Sequence, residues 1–142
     1  MKTVRVVAAV AVIGIAAATV TSFAAKADPA EPTRDNRTEL TIRYTDGSTP
    51  MPAAVWSLKC SPDTGTHPNV GPACHRLASA GNTENPFAPV PPGTACTLIY
   101  GGPEEARVTG FWRGRWIDAE FSRETGCELG RWSNMVPVLP DI

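Results

Sequence analysis

Histidine is nearly missing from this 142-residue chain, with His67 and His75 as the only two. Nucleophilic catalysis needs a base beside a serine or cysteine, so this scarcity leaves little room for it. The G-x-S-x-G elbow of serine hydrolases is absent as well. Runs of lysine or arginine are lacking, and the basic residues are scattered. That removes the basic patch by which nucleic-acid readers are known, so no nucleic-acid partner is expected. Adjacent carboxylates occur once, at Glu104-Glu105, and neighbours on an extended segment point to opposite faces. The pair reads as a solvated charged turn rather than a two-carboxylate catalytic centre. An enzyme is not expected, and nothing points to a cofactor.

Charge is also missing from Val6 through Ala25, after Lys2 and Arg5. The apolar run Val6 to Val20 and the small-x-small triplet Ala25-Lys26-Ala27 complete the pattern of a secretory signal over residues 1–27. A retained membrane helix fits less well. The run is alanine-rich, is broken by Gly14 and contains Thr19, Thr21 and Ser22, and no basic cluster follows to stop transfer. No cysteine lies near the cleavage site, so a lipid anchor there is not expected. The mature protein is read as secreted, with no membrane association after cleavage. Losing the signal removes three of the thirteen basic residues and none of the fourteen acidic ones, leaving a net charge of −4. Residues 28–38 read as a flexible mature N-terminus, and 39–142 as one small domain with a modest core.

Cysteine is sparse but even in number, at positions 60, 74, 96 and 127. In an exported small domain this reads as a disulfide framework, for which three connectivities are open. A zinc site from Cys60, His67, Cys74 and His75 has no familiar ligand spacing, and export disfavours thiolate ligands, so no metal is expected.

Leu40, Ile42 and Tyr44 alternate with polar residues, which predicts a first strand ending at Asp46-Gly47. Ala54 to Cys60 is a second, with Trp56, Leu58 and Cys60 on one face. Gly71-Pro72 opens a predicted helix over Ala73 to Ala80, with Leu77 buried and Gly81 as its cap. Asn82 to Gly93 holds four prolines and reads as a loop. Arg107 to Trp112 and Trp116 to Phe121 flank Arg113-Gly114-Arg115 as a hairpin. Gly126 to Arg131 predicts one helical turn. Met135 to Leu139 predicts a last strand, at an edge because of Pro137. Together these give an α+β single small domain. An antiparallel β-sheet of about five strands carries one or two short helices on one side.

One stretch stands apart, Cys96-Thr97-Leu98-Ile99-Tyr100-Gly101-Gly102-Pro103. Periodicity alone allows Leu98-Ile99 to be a core strand, but Gly-Gly-Pro directly afterwards marks a turn. An apolar dipeptide clamped by a disulfide is suited to offering a peptide bond to a protease. Trp56, Trp112, Trp116 and Trp132 allow another reading, a secreted disulfide-stabilised module binding carbohydrate or protein. That reading requires several coplanar, exposed rings. Core packing is the stronger expectation, since each large aromatic buries roughly 150–250 Å².

Between Leu40 and Val138 stand Cys60-x-Pro, Gly65-Thr66-His67-Pro68, Ala73-Cys74, Cys96-Thr97-x-x-Tyr100, Val108-Thr109-Gly110 with Trp112 and Gly114, and Cys127-Glu128. In these residues the chain resembles the Streptomyces subtilisin inhibitor family of secreted serine protease inhibitors. The resemblance implies an antiparallel five-stranded sheet and the pairs Cys60–Cys74 and Cys96–Cys127. It also implies a reactive bond between Leu98 and Ile99, because in the family the residue two after the third cysteine enters the protease pocket. Ala95, Cys96, Thr97, Tyr100 and Gly101 then complete the protease-binding loop. The implied partners are serine proteases of the subtilisin or chymotrypsin type, and a second copy in a homodimer. The chain departs from the family pattern in having Gly101-Gly102 before Pro103 and Thr125-Gly126 before the last cysteine. Many members carry Tyr-Asp-Pro and Asn-Glu at these places, where a side chain is positioned to brace the loop.

Overall fold

Alternation of apolar and polar residues sets the sheet. In the computed structural model, which describes residues 36–81 and 83–142, β1 (Thr38–Thr45) buries Leu40 and Ile42 and turns Glu39, Thr41 and Arg43 the other way. It pairs antiparallel with β2 (Ala54–Cys60), Leu40 opposite Leu58, and with β4 (Glu105–Trp112), Ile42 opposite Val108. β5 (Arg115–Phe121) continues the sheet and buries Ile117, Ala119 and Phe121. A two-residue β3 (Thr64–Gly65) lies on the far edge against β2, so the order is β3-β2-β1-β4-β5. The signal assigned to residues 1–27, and residues 28–35 of the segment after it, lie outside the described residues.

The β4–β5 connection is the expected hairpin, tightened to the two residues Arg113-Gly114, both at positive φ (50° and 73°). That is the backbone a two-residue turn needs to match strand twist. Arg113 is held there by its N–H to Thr38 Oγ1 at 3.2 Å. Its guanidinium donates to the carbonyls of Ala78 and Ala80 at 3.1 and 2.7 Å. Those carbonyls end α1 (Val70–Ser79), which starts three residues earlier than predicted. The cap is Ala80 in extended backbone, not Gly81, because Arg113 satisfies carbonyls that a left-handed glycine would otherwise serve.

The C-terminal segment corrects the reading of a last strand over Met135 to Leu139. α2 runs from Gly126 to Met135, ten residues rather than one turn, and Met135 is its final residue. Thr125 caps it, its side chain accepting the N–H of Glu128 at 3.4 Å. Trp132 and Met135, three apart on one helical face, are buried. Val138 and Leu139 follow as a turn whose N–H groups both donate to Met135 O, and both are fully buried. The apolar run from Met135 thus serves burial, not pairing, and the sheet's fifth strand is β3 instead. Both helices and this turn join one core on one face of the sheet. The other face carries charged residues such as Lys59, Arg107 and Asp118 together with the exposed Val55 and Trp116. Cys60–Cys74 ties β2 to α1, and Cys96–Cys127 ties residue 96 to the first turn of α2.

Candidate functional site

Between residues 94 and 104 the chain forms neither helix nor strand. It leaves Leu98 95% exposed, Ile99 59% and Tyr100 64%, three successive large apolar side chains in water. A core role for Leu98-Ile99 is excluded by those exposures. Cys96 is half-buried and Ala95 and Thr97 are exposed. The Gly101 and Gly102 backbone turns inward, half-buried, against Leu129 and Glu104.

Two backbone hydrogen bonds straddle the Leu98–Ile99 bond. On one side the N–H of Gly126 donates to Thr97 O at 3.0 Å, and on the other the N–H of Gly101 donates to Arg123 O at 2.8 Å. The Cys96–Cys127 bridge lies just outside the first. The five residues Thr97–Gly101 are therefore fixed at both ends to one short scaffold segment, Arg123 to Cys127, while their middle faces solvent. Restraint at both ends leaves this uncovered segment little conformational freedom to lose.

Arg123 supports the second anchor. Its guanidinium donates to Glu104 Oε2 at 3.0 Å and to Ile142 O at 3.1 Å. It is mostly buried, and so is the Glu104 side chain. Glu104 is thus not the solvated turn residue expected from the Glu104-Glu105 pair, whereas Glu105 is exposed. No local sequence signal marks Arg123, Glu104 or Gly126 as neighbours of the loop. Arg123 and Glu104 are nineteen positions apart, and only the β4–β5 hairpin returns one to the other.

Three of the four residues weighed for metal chemistry are otherwise engaged, and the fourth, His75, is exposed on α1. Cys60 and Cys74 share a disulfide. The buried His67 ring accepts the N–H of Asn69 at Nδ1 (3.1 Å), so Nε2 carries the proton and donates to Val138 O at 3.0 Å. Of the four tryptophans, Trp112 and Trp132 are buried, and Trp56 is partly buried and stacked on Tyr44. Trp116 alone is exposed, so no coplanar platform forms.

The subtilisin inhibitor-like family model matches residues 36–125, most of the described chain and the reactive-loop candidate within it. The chain belongs to that family. Membership places it among protease inhibitors rather than enzymes. It is 31% identical over 99 residues to subtilisin inhibitor-like protein 7 of Streptomyces ambofaciens, covering 68% of this chain and 89% of that protein. It is also 31% identical over 74 residues to the transglutaminase-activating metalloprotease inhibitor of Streptomyces mobaraensis, a match spanning 51% of this chain and 49% of that protein. Among solved structures it is similar to Streptomyces caespitosus sermetstatin, crystallised in complex with Bacillus licheniformis subtilisin. There the TM-score is 0.49 at 22% identity, covering 75% of this chain and all of that one. Among the described residues no helix is long and apolar enough to cross a membrane.

Proposed function

We propose that this protein is a secreted inhibitor of serine endopeptidases of the subtilisin type, extending to chymotrypsin-like enzymes. In this reading it inserts the loop around Leu98-Ile99 into the protease cleft as a substrate would. The observation that carries the reading is a 95% exposed Leu98 in a loop held at both ends by a disulfide and backbone hydrogen bonds. In the cleft the extended segment pairs its backbone with the enzyme as an added strand, and Leu98 fills the primary pocket. Attack by the protease serine joins its oxygen to the Leu98 carbonyl carbon and releases Ile99 as an amine. Because Cys96–Cys127 and the Gly101 anchor keep that amine beside the ester, the amine re-forms the peptide bond and expels the serine oxygen in competition with water.

The same proposal includes export under the signal at residues 1–27 and an inhibitor domain that reaches back past residue 39, since Thr38 is buried as the first residue of β1 and Arg37 O accepts the N–H of Gly114. It also includes pairing of two copies through the open face of the sheet, where Trp116 and Val55 are exposed. A binding module is the weaker reading, because three of the four tryptophans are packed. Titrating subtilisin with the oxidised mature protein tests the proposal. A stoichiometric loss of activity is expected, and rapid digestion without inhibition would overturn it.

A further inference from the structure

Among the described residues, Gly126 and Gly101 supply the amides of the two backbone hydrogen bonds between scaffold and loop, and neither has a positive φ that would demand glycine. What each site lacks is room. A Cβ on Gly126 would overlap Thr97 Oγ1 and lie 3.3 Å from Thr97 Cβ. One on Gly101 would overlap Leu129 Cδ2 and lie 3.4 Å from Arg123 Nε. The Gly126 amide is also the first of α2, so it has no acceptor within its own helix. Its partner is the carbonyl of Thr97, one residue before Leu98.

We infer that Gly126 and Gly101 are positioning residues for inhibition. Their missing side chains let the scaffold approach closely enough to hydrogen-bond the backbone on both sides of the Leu98–Ile99 bond. This rests on the reading of Leu98–Ile99 as the bond presented to the protease. Bracing is then done by main chain, at the positions where side chains are absent. The two sites differ in tolerance. Leu129 Cδ2 is the end of a flexible side chain and can turn aside, whereas Thr97 is β-branched and stiff at χ1. Gly126 is therefore the more demanding of the two.

Amide hydrogen exchange on the free wild-type protein reads the brace without any protease. The Gly126 and Gly101 amides should exchange far more slowly than those of Leu98 and Ile99. Equal rates would overturn the inference even if Gly126→Ala failed to fold. In the second arm, Gly126→Ala should weaken subtilisin inhibition by about tenfold or more, with faster cleavage after Leu98, and Gly101→Ala by less. Thr97→Ala removes the overlapping oxygen, so Gly126→Ala should cost at most about threefold in that background. An equal loss in both backgrounds, or none in either, would overturn the inference. If the wild type does not inhibit subtilisin at all, the reactive-bond reading fails, and the exchange rates still decide the brace.

Discussion

Leu98 projects almost its entire side chain into solvent, while Leu40, Ile42 and Leu58 of the sheet are buried. An exposed leucine on a restrained loop gains its burial only when a partner supplies a pocket, and fully burying it contributes roughly 1.5–3 kcal/mol. Leu98→Gly should therefore weaken subtilisin inhibition by about tenfold or more, read by inhibition titration. Leu98→Lys should leave the thermal midpoint unchanged and gain inhibition of trypsin, whose pocket carries an aspartate and needs a cation. If that variant unfolded, or left inhibition of subtilisin, chymotrypsin and trypsin unchanged, Leu98 would not be the pocket residue. Thr97 and Tyr100 flank the Leu98-Ile99 pair and are exposed too, but Thr97 is tied through its carbonyl to Gly126.

At the scale of elements, the loop depends on α2 and the strand before it more than on the rest of the fold. Cys127 is the second residue of α2, and the helix is fixed by its Thr125 cap and by Trp132, whose Nε1 donates to Pro140 O at 2.9 Å. Cys60–Cys74 joins β2 to α1, elements that make no contact with the loop among the hydrogen bonds described. Replacing Cys96 and Cys127 by serine should leave the sheet folded but turn the loop into a substrate. Mass spectrometry during incubation with subtilisin should show cleavage after Leu98. Faster cleavage there in the Cys60/Cys74 double-serine variant would contradict this account. That variant should instead lose mainly global stability, by roughly 2–4 kcal/mol in denaturant titration. The positions of β1, β2, β4 and β5 were legible because alternation reports burial directly. Helix ends were not, since α1 is finished by Arg113 from the distant hairpin, and α2 is lengthened by the packing of Trp132 and Met135.

Across the whole molecule, the sheet has an apolar face beneath the helices and an open face carrying cross-strand ion pairs. Arg107 donates two hydrogen bonds to Asp118 at 2.8 Å, and Lys59 pairs with Glu39 at 2.8 Å. Hydrogen bonding by the Arg107 guanidinium holds the Asp118 carboxyl below its ordinary range, and the Lys59 ammonium does the same for Glu39. A depressed folded-state pKa contributes stability that is complete above the unfolded value and is lost as pH falls through the folded one. The difference in melting temperature between wild type and Asp118→Asn should thus hold steady from neutral pH to about pH 5 and shrink below about pH 4. It should also shrink in high salt, as exposed pairs are screened. A difference that persisted undiminished at pH 2 would show that the ion pair is not its source.

The sequence by itself determined the α+β class, the buried faces of β1, β2, β4 and β5, a hairpin turning over Arg113-Gly114-Arg115, and the loop at Leu98-Ile99. Each follows from a period, a turn residue or a motif within a few positions. The sheet's fifth strand, the length of α2 and the burial of Val138 and Leu139 waited on the tertiary structure. An apolar run such as Met135 to Leu139 states that it must be buried without stating by what geometry. The brace beneath the loop was out of reach for the same reason. A glycine's missing Cβ has meaning only against the atom that occupies its place, and for Gly126 that atom is Thr97 Oγ1, twenty-nine positions earlier in the chain.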